Sequence, residues 1–113
     1  MAKLSLATLV ACFMVVACAS DQPPTIASDN AFAVQRGLLY AQQNCAVCHA
    51  VTASAAPSPI PQATPFVVVA NSPGMTRIAL TAWLQTSHPN MPNLIVEPGD
   101  IDDVWAYMET LKR

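Results

Sequence analysis

Charge is scarce in this 113-residue chain: Asp, Glu, Lys and Arg together make up 11% of it, against roughly 25% in an average soluble domain. The five basic residues, Lys3, Arg36, Arg77, Lys112 and Arg113, lie far apart in sequence. No phosphate-tracking patch forms from them, so nucleic acid is not an expected partner. Strand-like alternation, hairpin turn signals and internal repeats are absent as well, which leaves an all-α domain. The length excludes a nucleotide-binding fold with a second domain, or a barrel, and allows one small domain. Beyond the N-terminus no uninterrupted apolar run exceeds the five residues 66–70, far short of the roughly 17–25 a spanning helix needs.

What the chain does have begins at residue 4. After the single positive charge of Lys3, residues 4–19 (LSLATLVACFMVVACA) carry no charge. The run is just too short for a spanning helix and ends in small residues, so residues 1–18 read as an export signal. Two ends compete. Ala17-Cys18-Ala19 satisfies the small-x-small rule of a soluble periplasmic protein, whereas Val15-Val16-Ala17-Cys18 resembles a bacterial lipobox that would lipidate Cys18. An uncleaved signal anchor is a third outcome. Residues 19–30, with their prolines and serines, are expected to be a flexible linker or tether, and residues 31–113 the folded domain. Removing residues 1–18 takes away Lys3 and no acid, leaving four basic against seven acidic groups, net −3.

Four cysteines are present, but Cys12 and Cys18 belong to the signal. The remaining two stand in Cys45-Ala46-Val47-Cys48-His49, and in an exported protein Cys-x-x-Cys-His is the attachment signature of c-type haem. Two thiols at this spacing can add across the two vinyl groups of one haem edge, and the next side chain then brings an imidazole nitrogen to the iron. A thiol–disulfide centre would call for a neighbouring βαβ pattern, which is missing. A structural zinc site would need two more paired ligands, and only His88 is left over.

Around the motif, residues 31–44 read as a helix with apolar groups at Val34, Leu38 and Ala41 and a cap at Asp29 or Asn30. Gly37 inside it costs about 1 kcal/mol against alanine, which points to close approach of another helix. Residues 52–65, with Pro57, Pro59, Pro61 and Pro65, form a rigid irregular loop. Residues 66–71 follow as one helical turn. Ser72-Pro73 then offers an N-cap and first-turn proline for a second long helix, whose stripe of Met75, Ile78, Ala79, Ala82 and Trp83 faces the core. Residues 86–99 are broken by Pro89, Pro92 and Pro98. The last helix, residues 98–112, carries Ile101, Val104, Trp105, Met108 and Leu111, with acids in its first turn and bases at its end.

Haem iron held by one histidine leaves an opposite position that electron carriers fill with Met or His. Met75 and Met108 fall on helical apolar stripes and read as core residues. Met91 stands apart in the proline-braced string His88-Pro89-Asn90-Met91-Pro92, and is the expected second axial ligand, with His88 its rival.

The order Gly37, Tyr40-Ala41, Cys45-x-x-Cys48-His49, a proline-rich loop, Met91-Pro92 and a terminal helix with Ala106-Tyr107 resembles the class I monohaem cytochromes c, in particular small exported bacterial ones. The resemblance covers residues 31–113. It implies a cytochrome c-like helical domain in which the first and last helices cross at Gly37, packed against Tyr107. It also implies that a loop proline carbonyl orients His49, with Pro57, Pro59 and Pro61 all candidates. Two departures are Tyr40 standing five rather than four residues ahead of Cys45, and Glu97 where a Ser or Thr usually caps the last helix.

With both axial positions filled, no open site remains for substrate, so the expected activity is one-electron transfer rather than catalysis. The expected partners are a redox donor and acceptor that dock transiently on a monomer in the bacterial periplasm, free or membrane-tethered. Because no lysine occurs between Lys3 and Lys112, docking is expected to be mostly apolar with weak salt dependence. A gas or redox sensor, or a peroxide-reactive haem protein, is the alternative if Met91 does not bind stably.

Overall fold

The computed structural model describes residues 26–54, 56–86, 91–92 and 94–113. The expected signal with Cys18, the first part of the linker, and His88 lie outside the described residues. Those described are all-α, with no strand among them: α1 (Ile26–Asn44), α2 (Phe66–Ala70), α3 (Arg77–Gln85) and α4 (Pro98–Glu109). None of these helices is long and apolar enough to cross a membrane.

The first helix begins before the expected residue 31 and takes in residues 26–30 of the expected linker. Asp29, expected as a cap, lies in the first turn instead, where a carboxylate suits the positive end of the helix dipole. The pairing of α1 with α4 organises the rest. At their crossing, a Cβ built on Gly37 would fall on the carbonyl of Asp103 and come within 2.9 Å of the Val104 nitrogen. Only glycine allows backbones to meet this closely. Arg36 then forks onto the same Asp103, with N–O distances of 2.6 and 2.7 Å. Tyr107, expected against the glycine, is buried one turn further along α4.

The inward line of α4 is Ile101, Val104, Tyr107 and Met108, all buried and joined in the core by Leu111 just past the helix end and by Ala41, Val51, Phe66, Ala70 and Leu80. The expected Trp105 is half-buried, under the ammonium of Lys112, 4.2 Å from its ring centre. The helix ends at Glu109 with Thr110 as its C-cap, so its last turn holds no base and the two cations follow it. Glu97 occupies the N-cap without a side-chain hydrogen bond.

The third helix departs twice from expectation. Its N-cap is Thr76, whose hydroxyl accepts the Ala79 N–H, and not Ser72, whose hydroxyl turns back to the Val68 carbonyl. Gly74 at φ 77° separates the two, a left-handed conformation that interrupts a right-handed helix. The buried face also differs: Leu80 is buried and Leu84 and Met75 pack beside the core, while Ile78 is 77% and Trp83 56% exposed. A helix apolar almost all round gives no preferred face by periodicity. Here the contact with α4, where Arg77 pairs with Asp102, selects the side that turns inward.

Candidate functional site

The five residues from Cys45 to His49 continue directly from the C-terminal end of α1. The Cys45 N–H bonds back to the Ala41 carbonyl at 2.9 Å, and the Cys45 carbonyl receives the N–H groups of Cys48 at 3.1 Å and His49 at 2.9 Å. This single helical turn sets the two cysteines three residues apart and the histidine four from the first, spacings that share one side of a turn. Both thiols are free and half-buried.

The proline-rich loop returns over this turn and fastens it from several directions. The Ile60 N–H reaches the Cys48 carbonyl at 3.2 Å, and the Phe66 N–H reaches the Ala50 carbonyl at 2.9 Å. The Ala50 N–H donates to the buried Ser58 hydroxyl at 2.9 Å. From the far side, Tyr107 of α4 donates its hydroxyl to the Val51 carbonyl at 2.7 Å. Tyr107→Phe leaves that buried carbonyl unpaired and is expected to cost about 1–3 kcal/mol. In urea denaturation the midpoint should fall with an unchanged slope.

The imidazole is held by its own pair of contacts. His49 Nδ1 lies 2.7 Å from the Thr64 carbonyl oxygen; a carbonyl can only accept, so Nδ1 is the donor, and in the neutral tautomer that this bond selects, Nε2 holds the lone pair. The ring also meets Phe66 edge-on, with centroids 5.7 Å apart and planes at 61°. The carbonyl partner is thus Thr64 and not Pro57, Pro59 or Pro61. Thr64 precedes Pro65, and a residue before proline is restricted to extended backbone, which fixes the direction of its carbonyl. Sequence reasoning missed Thr64, Ser58 and Phe66. The first acts through its main chain, which every residue type possesses, and its only signal is the proline that follows.

Burial, with a smaller contribution from Cys48, pushes the Cys45 thiol up to about 11. Reactive redox cysteines are shifted the other way, so burial makes Cys45 a poor attacking thiol. Near neutral pH the rise from 9.0 leaves about 100-fold fewer thiolates, and the greater nucleophilicity of a more basic thiolate recovers about tenfold of that. Iodoacetamide at about pH 8 is therefore expected to label Cys45 about tenfold more slowly in the folded chain than in the urea-unfolded one, measured by mass spectrometry of the alkylated peptides.

Among the described residues no three His, Cys, Asp or Glu side chains gather as a metal-holding group, so a zinc site finds no third and fourth donor there. Met91 is half-buried on the segment between α3 and α4, separate in sequence from the cysteine turn. Met108 is buried in the core and Met75 packs against it, as expected of both. Comparison with known protein families, curated proteins and solved structures finds no match for this chain.

Proposed function

We propose that this protein is an exported one-electron carrier of the class I cytochrome c kind, with one haem attached through Cys45 and Cys48 and held axially by His49 and Met91. The observation that carries it is the imidazole of His49: adjacent to the second thiol on one fixed turn, with Nδ1 tied to a main-chain carbonyl and the lone pair left on Nε2. Such a tie to the other ring nitrogen is how a metal-ligating histidine is oriented and made more basic.

The apolar surface supports the same function. Large apolar side chains such as Ile78 and Val47 are exposed at 77% and 76%, and a domain of this size gains from an apolar group that completes its core. When bound, haem supplies the exchange of one electron between ferrous and ferric iron. The chain's residues fix the thiols, orient the imidazole and exclude water. Met91 lies on the irregular segment between α3 and α4, and a thioether bound to the iron favours the ferrous state and raises the potential. In this function the protein works in the periplasm, free or tethered near the membrane, and meets other redox proteins transiently.

The test is the visible spectrum, oxidised and reduced, of the chain exported from a host able to attach c-type haem. Sharp reduced bands that stay with the denatured polypeptide are expected, and Cys45→Ser with Cys48→Ser should abolish them. A spectrum that changes when carbon monoxide is added would indicate an open sixth position and favour a haem-based sensor. No covalent haem at all would overturn the assignment.

A further inference from the structure

Phe32 and Leu39 of α1 are large apolar side chains that the fold leaves in water, 59% and 52% exposed. They stand seven residues apart, two helical turns, and so form one line along the helix. That line lies away from Gly37, Leu38 and Ala41, which turn towards α4 and the core. Ala31, Gln35 and Gln42 flank it and are exposed and uncharged. The two charges of α1, Asp29 and Arg36, share the neighbouring flank, where Arg36 is committed to Asp103. Among the described helices only α4 packs on α1, so no helix covers the line.

The start of this helix lies close to the cysteine of the lipobox. Because α1 begins at Ile26 and not at residue 31, only seven residues separate it from Cys18. Those eight chain steps reach at most about 28 Å, about the length of α1 itself. A lipidated Cys18 therefore keeps the helix within one helix length of the bilayer, at an effective concentration that a weak apolar contact can use.

We propose that α1 lies along the bilayer surface with Phe32 and Leu39 at the acyl boundary, and that lipid is what covers this face. This rests on the membrane-tethered form of the function proposed above. Charge selects the face. The chain is net −3 once residues 1–18 are removed, so anionic headgroups repel it, and its uncharged side approaches them most easily. A second copy is a poorer occupant, because two side chains fall far short of the about 800 Å² per partner of a stable interface. Lipid needs no such area: the acyl anchor already holds the protein there, and the apolar line decides which side faces down. The cysteine turn continues from the C-terminal end of α1. A flat helix thus holds the haem beside the membrane surface, where it meets membrane redox proteins by lateral encounter.

Hydroxyl-radical footprinting of the exported chain, in vesicles of phosphatidylethanolamine and phosphatidylglycerol, reads the covered face. Phe32 is expected to oxidise severalfold more slowly in the lipidated chain than in the same chain exported without lipid. Trp83, on a helix that packs on α4 and not on α1, should oxidise equally in both. Oriented multilayers of the same vesicles read the pose. The electron paramagnetic resonance of the ferric haem should change with the angle between multilayer and field. Phe32→Gln combined with Leu39→Gln should abolish that dependence, while flotation and melting temperature stay as they were, since both side chains lie outside the core.

Equal oxidation of Phe32 with and without lipid would overturn the proposal, as would an angular dependence that survives the double variant. A Cys18 peptide without acyl mass removes the tether and overturns it too. A dimer of the unlipidated chain, seen by sedimentation and dissociated by Leu39→Gln, would assign the face to a second copy instead. Haem that is present while Phe32 stays unprotected sinks this face alone. Phe32 protected in a preparation whose spectrum lacks covalent haem keeps the face and sinks the electron carrier.

Discussion

Gly37→Ala is expected to cost at least about 3 kcal/mol, the upper end of ordinary overpacking. The added methyl would meet main chain, the Asp103 carbonyl and the Val104 nitrogen, and main chain inside a helix cannot rotate aside as a side chain can. The helices would have to separate, loosening Ala41 and Val104 from the core they share and pulling apart the Arg36–Asp103 fork. For a domain of this size each kcal/mol shifts the melting temperature by about 4–8 °C, so the fall should be roughly 12–24 °C. Gly99→Ala is the control. It lies in the first turn of α4, nothing stands within 4 Å of the added Cβ, and alanine's helix propensity makes the change neutral or stabilising by up to about 1 kcal/mol. Equal melting temperatures for Gly37→Ala and the wild type would mean that α1 and α4 do not meet at backbone distance.

That crossing was legible in the sequence because a glycine inside a helical pattern has few uses, and close approach is one of them. The apolar line of α4 was legible for a similar reason: Ile101, Val104 and Met108, with Leu111 just past the helix end, recur at helical spacing. In α3 the same logic gave the wrong face. Ile78, Ala79, Leu80, Ala82, Trp83 and Leu84 surround the helix, so periodicity offers two sides, and the side taken depends on α4, which a local pattern does not contain. The start of α3 was misplaced because Ser72-Pro73 and Thr76 are both good beginnings; the left-handed Gly74 between them decides for the second.

Within the candidate site, the cysteine turn was readable because all its members lie within five residues and their spacing is the chemistry. The support around it was not. Thr64 reaches His49 through a carbonyl, and Ser58 reaches Ala50 through a hydroxyl eight residues away, so neither interaction leaves a spacing rule or a distinctive residue type. What proline density does reveal is restricted backbone: Pro59, Pro61 and Pro65 adjoin the two groups, at Ile60 and Thr64, that bond to neighbouring residues of the turn.

Met91→Ala should have the largest effect on the electron chemistry while leaving the fold nearly intact. Met91 is half-buried on an irregular segment, outside the helices that form the core, so truncating it is expected to cost less stability than truncating the fully buried Met108. Under the proposed function it removes the soft sulfur that favours ferrous iron. The weak far-red band of methionine-bound ferric haem should vanish, carbon monoxide should bind the reduced protein, and the potential should fall by a sizeable part of the roughly 0.8 V that axial ligation spans. The other methionines separate ligation from packing. Met108→Ala, in the core, should lower stability by about 2–5 kcal/mol yet keep the far-red band, and Met75→Leu should change neither by much. His88→Ala is the remaining discriminator: if it, and not Met91→Ala, removes the sixth ligand, the axial pair is two histidines and no far-red band is present in the wild type. Retention of the band in Met91→Ala would exclude Met91 outright. Its loss with an unchanged melting transition would place the thioether's contribution at the iron and not in the packing of the domain.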